Sequence, residues 1–153
     1  MSIDHEWIVF DTNIWIFGLR NQTDQPACQQ LLQDLNKLYV KTPYQIFLEL
    51  KANLAPEELK SFFNLIHLYP NRIELSWEKA RLDLIDKYRN LGCKLGDAAV
   101  AAHLEMMNIK TLVSENRDFY HEIKGLPFRV LRAEASLAGA WYRRMKKKLF
   151  YNF

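Results

Sequence analysis

Hydrophobic positions along the chain form short apolar blocks and longer stretches in which apolar residues recur every three or four positions. The short blocks predict strands, and a block that is apolar at consecutive positions is typical of a strand buried in a parallel sheet. The predicted strands are Trp7–Phe10, Ile73–Leu75, Thr111–Val113 and Phe128–Leu131, of which the first and third are apolar enough to be buried.

Helical spacing predicts helices in the stretches between these blocks. The predicted helices cover residues 26–39, begin at Thr42-Pro43 and at Pro56, run from Ser76 to Gly92 and from Gly96 to about Met107, and resume at Ala133. Because strands alternate with helices, we expect a three-layer α/β domain built around a mainly parallel sheet.

Composition indicates an ordinary globular chain of one domain. Its 153 residues are 49% hydrophobic and 25% charged, which excludes a disordered or fibrous protein. No apolar run approaches the roughly 18 residues that a membrane span needs, and no signal-like segment opens the sequence. No linker divides residues 1–153. We therefore expect a single cytoplasmic domain in which Cys28 and Cys93 are reduced.

Positive charge is concentrated near the C-terminal end. The net charge is +3, but residues 129–153 hold seven basic residues and one acidic residue, which leaves −3 for the remainder. A basic run in this segment is expected to attract phosphates, unless it is only a solvated helix face. Its members are Arg143, Arg144, Lys146, Lys147 and Lys148. Aromatic residues accompany the run, so the segment 133–153 could pack on the domain, pair two subunits or contact RNA.

Four acidic residues stand at positions of interest for chemistry. Asp11 follows the first predicted strand directly, and Asp118 comes shortly after the strand Thr111–Val113. Open parallel sheets form their ligand crevice at the carboxyl ends of the strands. Asp97 begins an Ala-rich helix, and Glu49 interrupts an apolar helical segment. A charge in such a segment needs a partner or a shifted pKa.

Each acid alone has a structural explanation, as a turn residue, a helix cap or an exposed helix position. Their combination indicates metal chemistry, because converging carboxylates repel one another unless a cation neutralises them. Carboxylate oxygens without a His or Cys cluster favour Mg²⁺ or Mn²⁺ over Zn²⁺. Such an ion can activate water and stabilise charge on a phosphoryl oxygen.

Four segments around these acids together resemble the motifs of PIN domains, the ribonuclease fold used by VapC-type toxins. The segments are Ile8–Ile16, Phe47–Leu50, Gly96–Ala102 and Leu112–Phe119. The resemblance extends from about residue 6 to residue 131. It implies a PIN-like α/β/α fold with helices on both sides of the sheet, four acids around one or two divalent ions, and cleavage of RNA phosphodiester bonds.

The resemblance also implies a role for each acid. Asp11 and Asp97 are implied as metal ligands or as holders of metal-bound water. Glu49 is a further catalytic candidate that either joins them or positions the water. Asn116 supplies only a neutral oxygen at the fourth position, so the negative charge there falls on Asp118, the remaining metal-ligand candidate.

Neighbouring polar and basic residues have supporting roles in this interpretation. The hydroxyls of Thr12 and Ser114 are suited to orienting carboxylates or a phosphate, although both could simply complete turns after strands. Asn13 could cap the helix that follows it. Arg20 and Arg117, together with the C-terminal basic run, are candidates for tracking an RNA backbone.

The favoured hypothesis is a Mg²⁺- or Mn²⁺-dependent endoribonuclease that acts as the toxin of a type II toxin–antitoxin pair. The family resemblance implies a cognate antitoxin and a homodimer. Two alternatives stay open. One is a PIN nuclease with a housekeeping duty in RNA maturation or decay, and the other is a non-catalytic α/β module that binds RNA or protein through its basic C-terminus.

Overall fold

Strands and helices alternate in the computed structural model, which describes residues 6–20, 24–119 and 123–138. The strands are β1 (Trp7–Phe10), β2 (Tyr39–Thr42), β3 (Ile73–Leu75), β4 (Thr111–Val113) and β5 (Arg129–Leu131). The helices are α1 (Thr12–Leu19), α2 (Pro26–Gln33), α3 (Tyr44–Asn53), α4 (Pro56–Leu68), α5 (Leu82–Asn90), α6 (Leu95–Met107) and α7 (Ala133–Ala138). None of these described helices is both long and apolar enough to cross a membrane.

The five strands form one sheet in the order β3-β2-β1-β4-β5, and every neighbouring pair is parallel. The chain steps in one direction from β1 to β3 and then crosses back to place β4 on the other side of β1. Right-handed crossovers therefore put the helices of the two halves on opposite faces of the sheet. The predicted three-layer α/β/α architecture is confirmed, and the described sheet is parallel throughout.

The central strands are buried on both faces, as their consecutive apolar residues predict. Val9 and Phe10 of β1 and Leu112 and Val113 of β4 have no exposed surface. Trp15 of α1 is also fully buried, and its ring meets that of Phe10 edge-on with centroids 5.5 Å apart. This contact holds the carboxyl end of β1 against α1, and Phe10 in turn pairs with Val113 at the end of β4.

The segment predicted as one helix over residues 26–39 divides into separate elements. α2 ends at Gln33, a 3₁₀ turn covers Leu35–Lys37, and Tyr39 already belongs to β2. Val40 is fully buried and pairs with β1 on one side and β3 on the other. The prediction is right for α2 and wrong beyond it, because pairing with two strands outweighs the local helical spacing of this segment.

The helix predicted to begin at Ser76 begins instead at Leu82. Ser76 extends the pairing of β2 with β3, since its N–H donates to the Thr42 carbonyl at 3.0 Å. Trp77 then packs edge-on against Phe47 of α3, with ring centroids 5.0 Å apart. This prediction is wrong because a strand contact and an aromatic contact keep the segment out of helical geometry.

Phe62 provides a test of the packing between α4 and α1. Its ring is fully buried and meets Trp15 edge-on, with centroids 5.0 Å apart. Phe62→Ala should lower the free energy of unfolding by about 3–5 kcal/mol, because it removes buried apolar area and leaves a cavity. Lys60→Ala, on the exposed side of the same helix, should change it by less than about 0.5 kcal/mol. Urea unfolding measures both, and equal losses would contradict this packing.

Candidate active site

The carboxyl ends of β1 and β4 define the candidate site, because the strand order reverses between these two neighbours. Open parallel sheets form their ligand crevice at such a point. Asp11 is the first residue beyond β1, and Ser114 is the first beyond β4. The Asp11 N–H donates to the Val113 carbonyl at 2.8 Å, so the strand pairing itself places the acid at this edge.

Asp11 is almost completely buried, with 5% of its surface exposed. It caps α1, since the Thr12 N–H donates to its Oδ1 at 2.9 Å, and the Ser114 hydroxyl donates to its Oδ2 at 2.6 Å. Burial raises the pKa of this carboxyl to about 6 against these two hydrogen bonds, and the charges of Glu49 and Asp97 add to the rise. Asp11 is therefore a well-oriented carboxyl that is costly to ionise.

Glu49 reaches the same region from α3. The Thr12 hydroxyl donates to its Oε2 at 2.6 Å. Burial raises the pKa of Glu49 against hydrogen bonds from Thr12 and Gln45, and the charge of Asp97 raises it further. Gly96 permits this approach, because a Cβ there would lie only 3.1 Å from Glu49 Oε1. The apolar segment that carries Glu49 does bury part of a charged side chain, as its pattern indicates.

Asp97 stands in the first turn of α6, where the helix dipole favours a negative charge. The helix begins at Leu95, one residue earlier than predicted, so Lys94 rather than Asp97 is at its N-cap. The Asn116 side chain donates to Asp97 Oδ1 at 3.1 Å. Burial raises the pKa of Asp97, and the charge of Asp118 adds to the rise. The Asn116 hydrogen bond and the charge of Lys94 oppose it.

Asn116 links Asp97 of α6 to Asp118, which follows β4. Its N–H donates to the Ser114 hydroxyl oxygen at 3.0 Å, and its Oδ1 accepts from the Asp118 N–H at 3.1 Å. The same side chain donates to Asp97, so a neutral amide joins the two acids. Asp118 lies on the outer side, with 35% of its side chain exposed and its carboxylate 3.3 Å from Lys94 Nζ.

The structure brings three of the four predicted acids close enough for their charges to interact. These inner acids are Asp11, Glu49 and Asp97, and Asp118 adjoins Asp97. Within the described ranges, no three His, Cys, Asp or Glu side chains already have the geometry of a formed metal site. The donor set nevertheless fits Mg²⁺ or Mn²⁺, because it offers hard oxygens whose mutual repulsion a dication would relieve.

The remaining predicted residues occupy varied positions. Asn13 does not cap α1, because the helix begins directly after Asp11, and its Oδ1 instead accepts from the Glu115 N–H at 3.2 Å. Arg20 is engaged by Glu58 at 2.9 Å, which ties α1 to α4. Arg117 is exposed, at the start of the helical turn that comes after β4. The basic run at 143–148 lies outside the described residues.

Sequence patterns missed the support that α3 receives from His103. This side chain is buried on α6, and the Gln45 N–H donates to its Nε2 at 3.4 Å. Burial lowers the pKa of His103 to about 4, so the ring is neutral at pH 7 and accepts this bond. Pro43, the N-cap of α3, makes no side-chain cap. A single histidine on an Ala-rich helix belongs to no recognisable motif, so the sequence did not indicate this contact. The glycine at position 96, next to Asp97, is a signal from which the close approach of another side chain could have been predicted.

Asp11→Asn should raise the free energy of unfolding of the metal-free protein at pH 7 by on the order of 3 kcal/mol. The fold raises the pKa of this carboxyl from 3.8 to about 6, so the folded state holds the proton more tightly than the unfolded chain. Wild-type stability therefore falls as the pH rises from about 4 to about 6, and the asparagine variant is spared this loss.

Urea unfolding in EDTA across this pH range measures the difference between the two proteins. The difference between the two free energies of unfolding isolates the effect of Asp11. The lowered pKa of His103 makes both proteins more stable as the pH rises over the same range, and this contribution cancels in the difference. Asp86→Asn, at an exposed position of α5, is the charge-matched control. If the difference in free energy of unfolding between Asp11→Asn and wild type did not increase with pH, ionising Asp11 would not be costly and the prediction would be wrong.

Solved structures share this fold at low sequence identity. VapBC2 from Rickettsia felis, bound to a DNA fragment from its promoter, has a TM-score of 0.57 and is 15% identical over 82% of this chain and 98% of that chain. FitAcB from Neisseria gonorrhoeae has a TM-score of 0.56 and is 16% identical over 83% of this chain and 98% of that chain. At these identities the likeness concerns the fold alone.

No curated protein matches the chain in sequence. The profile of the PIN domain does match it, over residues 8–123, a range that contains all four acids of the site. PIN domains are nucleases that generally use divalent metal ions. The match covers most of the sequence and agrees with the parallel α/β/α fold, and the chain therefore belongs to the PIN domain family.

Proposed function

We propose that this chain is a divalent-metal-dependent endoribonuclease that hydrolyses RNA phosphodiester bonds, and that it is the VapC-like toxin of a type II toxin–antitoxin pair in the cytoplasm. The observation that carries the proposal is the meeting of the inner acids at the switch point of the sheet, each with a pKa raised by burial. Such an arrangement costs folding free energy, and perturbed carboxyls gathered in this way are typical of functional sites.

Mg²⁺ or Mn²⁺ is the cofactor that the inner acids are proposed to hold. When bound, the ion supplies an activated water and neutralises charge that develops on a phosphoryl oxygen. Asp118 is the remaining acid of the proposed catalytic set, and it stands next to Asp97 on the outer side.

Neutral donors hold each inner acid in place. The hydroxyls of Thr12 and Ser114 donate at 2.6 Å, and the amide of Asn116 donates at 3.1 Å. A carboxylate oxygen that accepts one hydrogen bond retains a further lone pair. The donors therefore orient the carboxylates without cancelling their charge, and the negative potential of the site is kept for a cation.

Phosphates of the RNA are proposed to meet basic residues near this crevice. Arg117 is exposed one residue before Asp118, and the basic run at 143–148 offers further charges. The fold shared with VapBC2 and FitAcB favours the toxin role by analogy. By the same analogy we propose a homodimer and an antitoxin that brings an Arg or Lys into the acidic crevice, where a cation is favoured.

Purified protein should cleave RNA in Mg²⁺ or Mn²⁺ and lose this activity in EDTA. Asp11→Asn and Asp97→Asn should each lower the cleavage rate by about 100-fold or more, because loss of one ligand removes several kcal/mol of transition-state stabilisation. Gel analysis of single-stranded and structured RNAs measures the rates. Asp86→Asn should keep wild-type activity, and full activity in either site variant would contradict the assignment.

Thermal unfolding gives a second measurement on the same proteins. Mn²⁺ that binds only the folded state must raise the melting temperature by mass action, so wild type and Asp86→Asn should respond to it. Asp11→Asn and Asp97→Asn should respond much less. A wild-type protein that shows no cleavage and no Mn²⁺ response would favour the non-catalytic alternative.

Induction of the wild-type chain in a bacterial host should arrest growth, and induction of Asp97→Asn should not. Co-expression of the small gene next to the chain's own gene should restore growth, because an antitoxin closes the acidic crevice. Plate and growth-curve assays measure both effects. Normal growth during induction of protein that is active in vitro would instead support the housekeeping alternative.

A further inference from the structure

The outer end of the candidate site carries a cation of its own. Lys94 stands at the N-cap of α6, three residues before Asp97, and its Nζ lies 3.3 Å from Asp118 Oδ2. The two groups form an ion pair that no sequence motif indicated. Lys94 therefore neutralises Asp118, the acid that adjoins Asp97.

Negative charge is consequently distributed unevenly across the site. The charges that act on Asp11 are those of Glu49 and Asp97, whereas the charges that act on Asp97 are those of Asp118 and, with opposite sign, Lys94. The inner acids thus form a strongly negative end, and the pair of Asp118 with Lys94 forms a balanced end. Asn116, a neutral residue, is hydrogen-bonded to both ends and adds no charge between them.

The Lys94 ammonium is also accessible from solvent. Its side chain is 82% exposed, against 35% for Asp118, so the pair is a surface ion pair that holds the lysine only weakly. An exposed ammonium at the edge of a crevice can bind a phosphate oxygen while remaining near its carboxylate. Contacts of this kind supply the sequence-independent part of nucleic-acid binding.

We propose that Lys94 takes the place of a second divalent cation, an inference that rests on the proposed function. It neutralises Asp118 and binds a phosphate of the RNA strand, so the chain holds one divalent ion at the inner acids and Asp118 anchors Lys94 instead of ligating a metal. The proposal assigns a substrate contact to Lys94 and separates the role of Asp118 from that of Asp97.

The first experiment counts Mn²⁺ ions per chain by electron paramagnetic resonance. Wild type should bind one ion, and Lys94→Gln should bind a second, weaker one, because Asp118 is then left without its cation. Asp118→Asn and the double variant should each bind one, with affinity within about twofold of wild type for the first ion. Lys87→Gln is the matched control, since Lys87 forms an ion pair with Glu105 on the neighbouring helix.

The second experiment measures binding of a fluorescein-labelled single-stranded RNA by anisotropy in EDTA, where cleavage is excluded. Lys94→Gln should weaken binding and make the slope of log affinity against log salt shallower by about 0.7, the value for one lost phosphate contact. Lys94→Arg should restore the slope, and Lys87→Gln should keep the wild-type value.

Three outcomes would overturn the inference while leaving the nuclease proposal intact: two tight Mn²⁺ ions on an active wild type, a tenfold loss of first-ion affinity in Asp118→Asn, or equal salt slopes in Lys94→Gln and Lys87→Gln. A wild-type chain that binds no Mn²⁺ and cleaves no RNA would overturn both proposals. One ion on wild type, a second on Lys94→Gln and a shallower salt slope would support the inference.

Discussion

Repulsion between carboxylates at the edge of a parallel sheet is the constraint on which the site depends. Asp11 follows β1, Glu49 lies on α3 and Asp97 lies on α6. The three acids approach one another because these elements are packed into one core. Each carboxylate is held by a donor that carries no charge. Folding therefore leaves negative potential at the switch point, and part of the folding free energy is spent on keeping it there.

Packing on the two sides of the site makes this arrangement possible. The small residues Ala98–Ala102 of α6 are buried, and Gly96 at its start leaves room for the Glu49 carboxylate. At the other end of the site, Lys94 balances Asp118 at the surface. The result is an asymmetric crevice, and under the proposals above its buried side holds a hard dication and its exposed side a phosphate.

Much of the fold follows from local patterns that survive in the tertiary structure. Consecutive apolar residues in Trp7–Phe10 and Thr111–Val113 can only be satisfied by burial on both faces, and a parallel sheet supplies it. Acids placed directly after such strands then lie at the edge where ligands bind. The same reasoning was wrong for Tyr39, assigned to a helix, and for Ser76, expected to begin one, because strand partners distant in sequence compete with helical spacing.

The sequence by itself determined the class of fold and singled out the candidate acids, since periodicity and residue chemistry are local properties. Only the tertiary structure decided which groups meet across long separations: Thr12 with Glu49, His103 with the first turn of α3, and Lys94 with Asp118. These pairings depend on strand order and on how α3 packs against α6. The spacing of residues along the chain does not encode which distant residues come into contact, so these pairs could not be predicted from it.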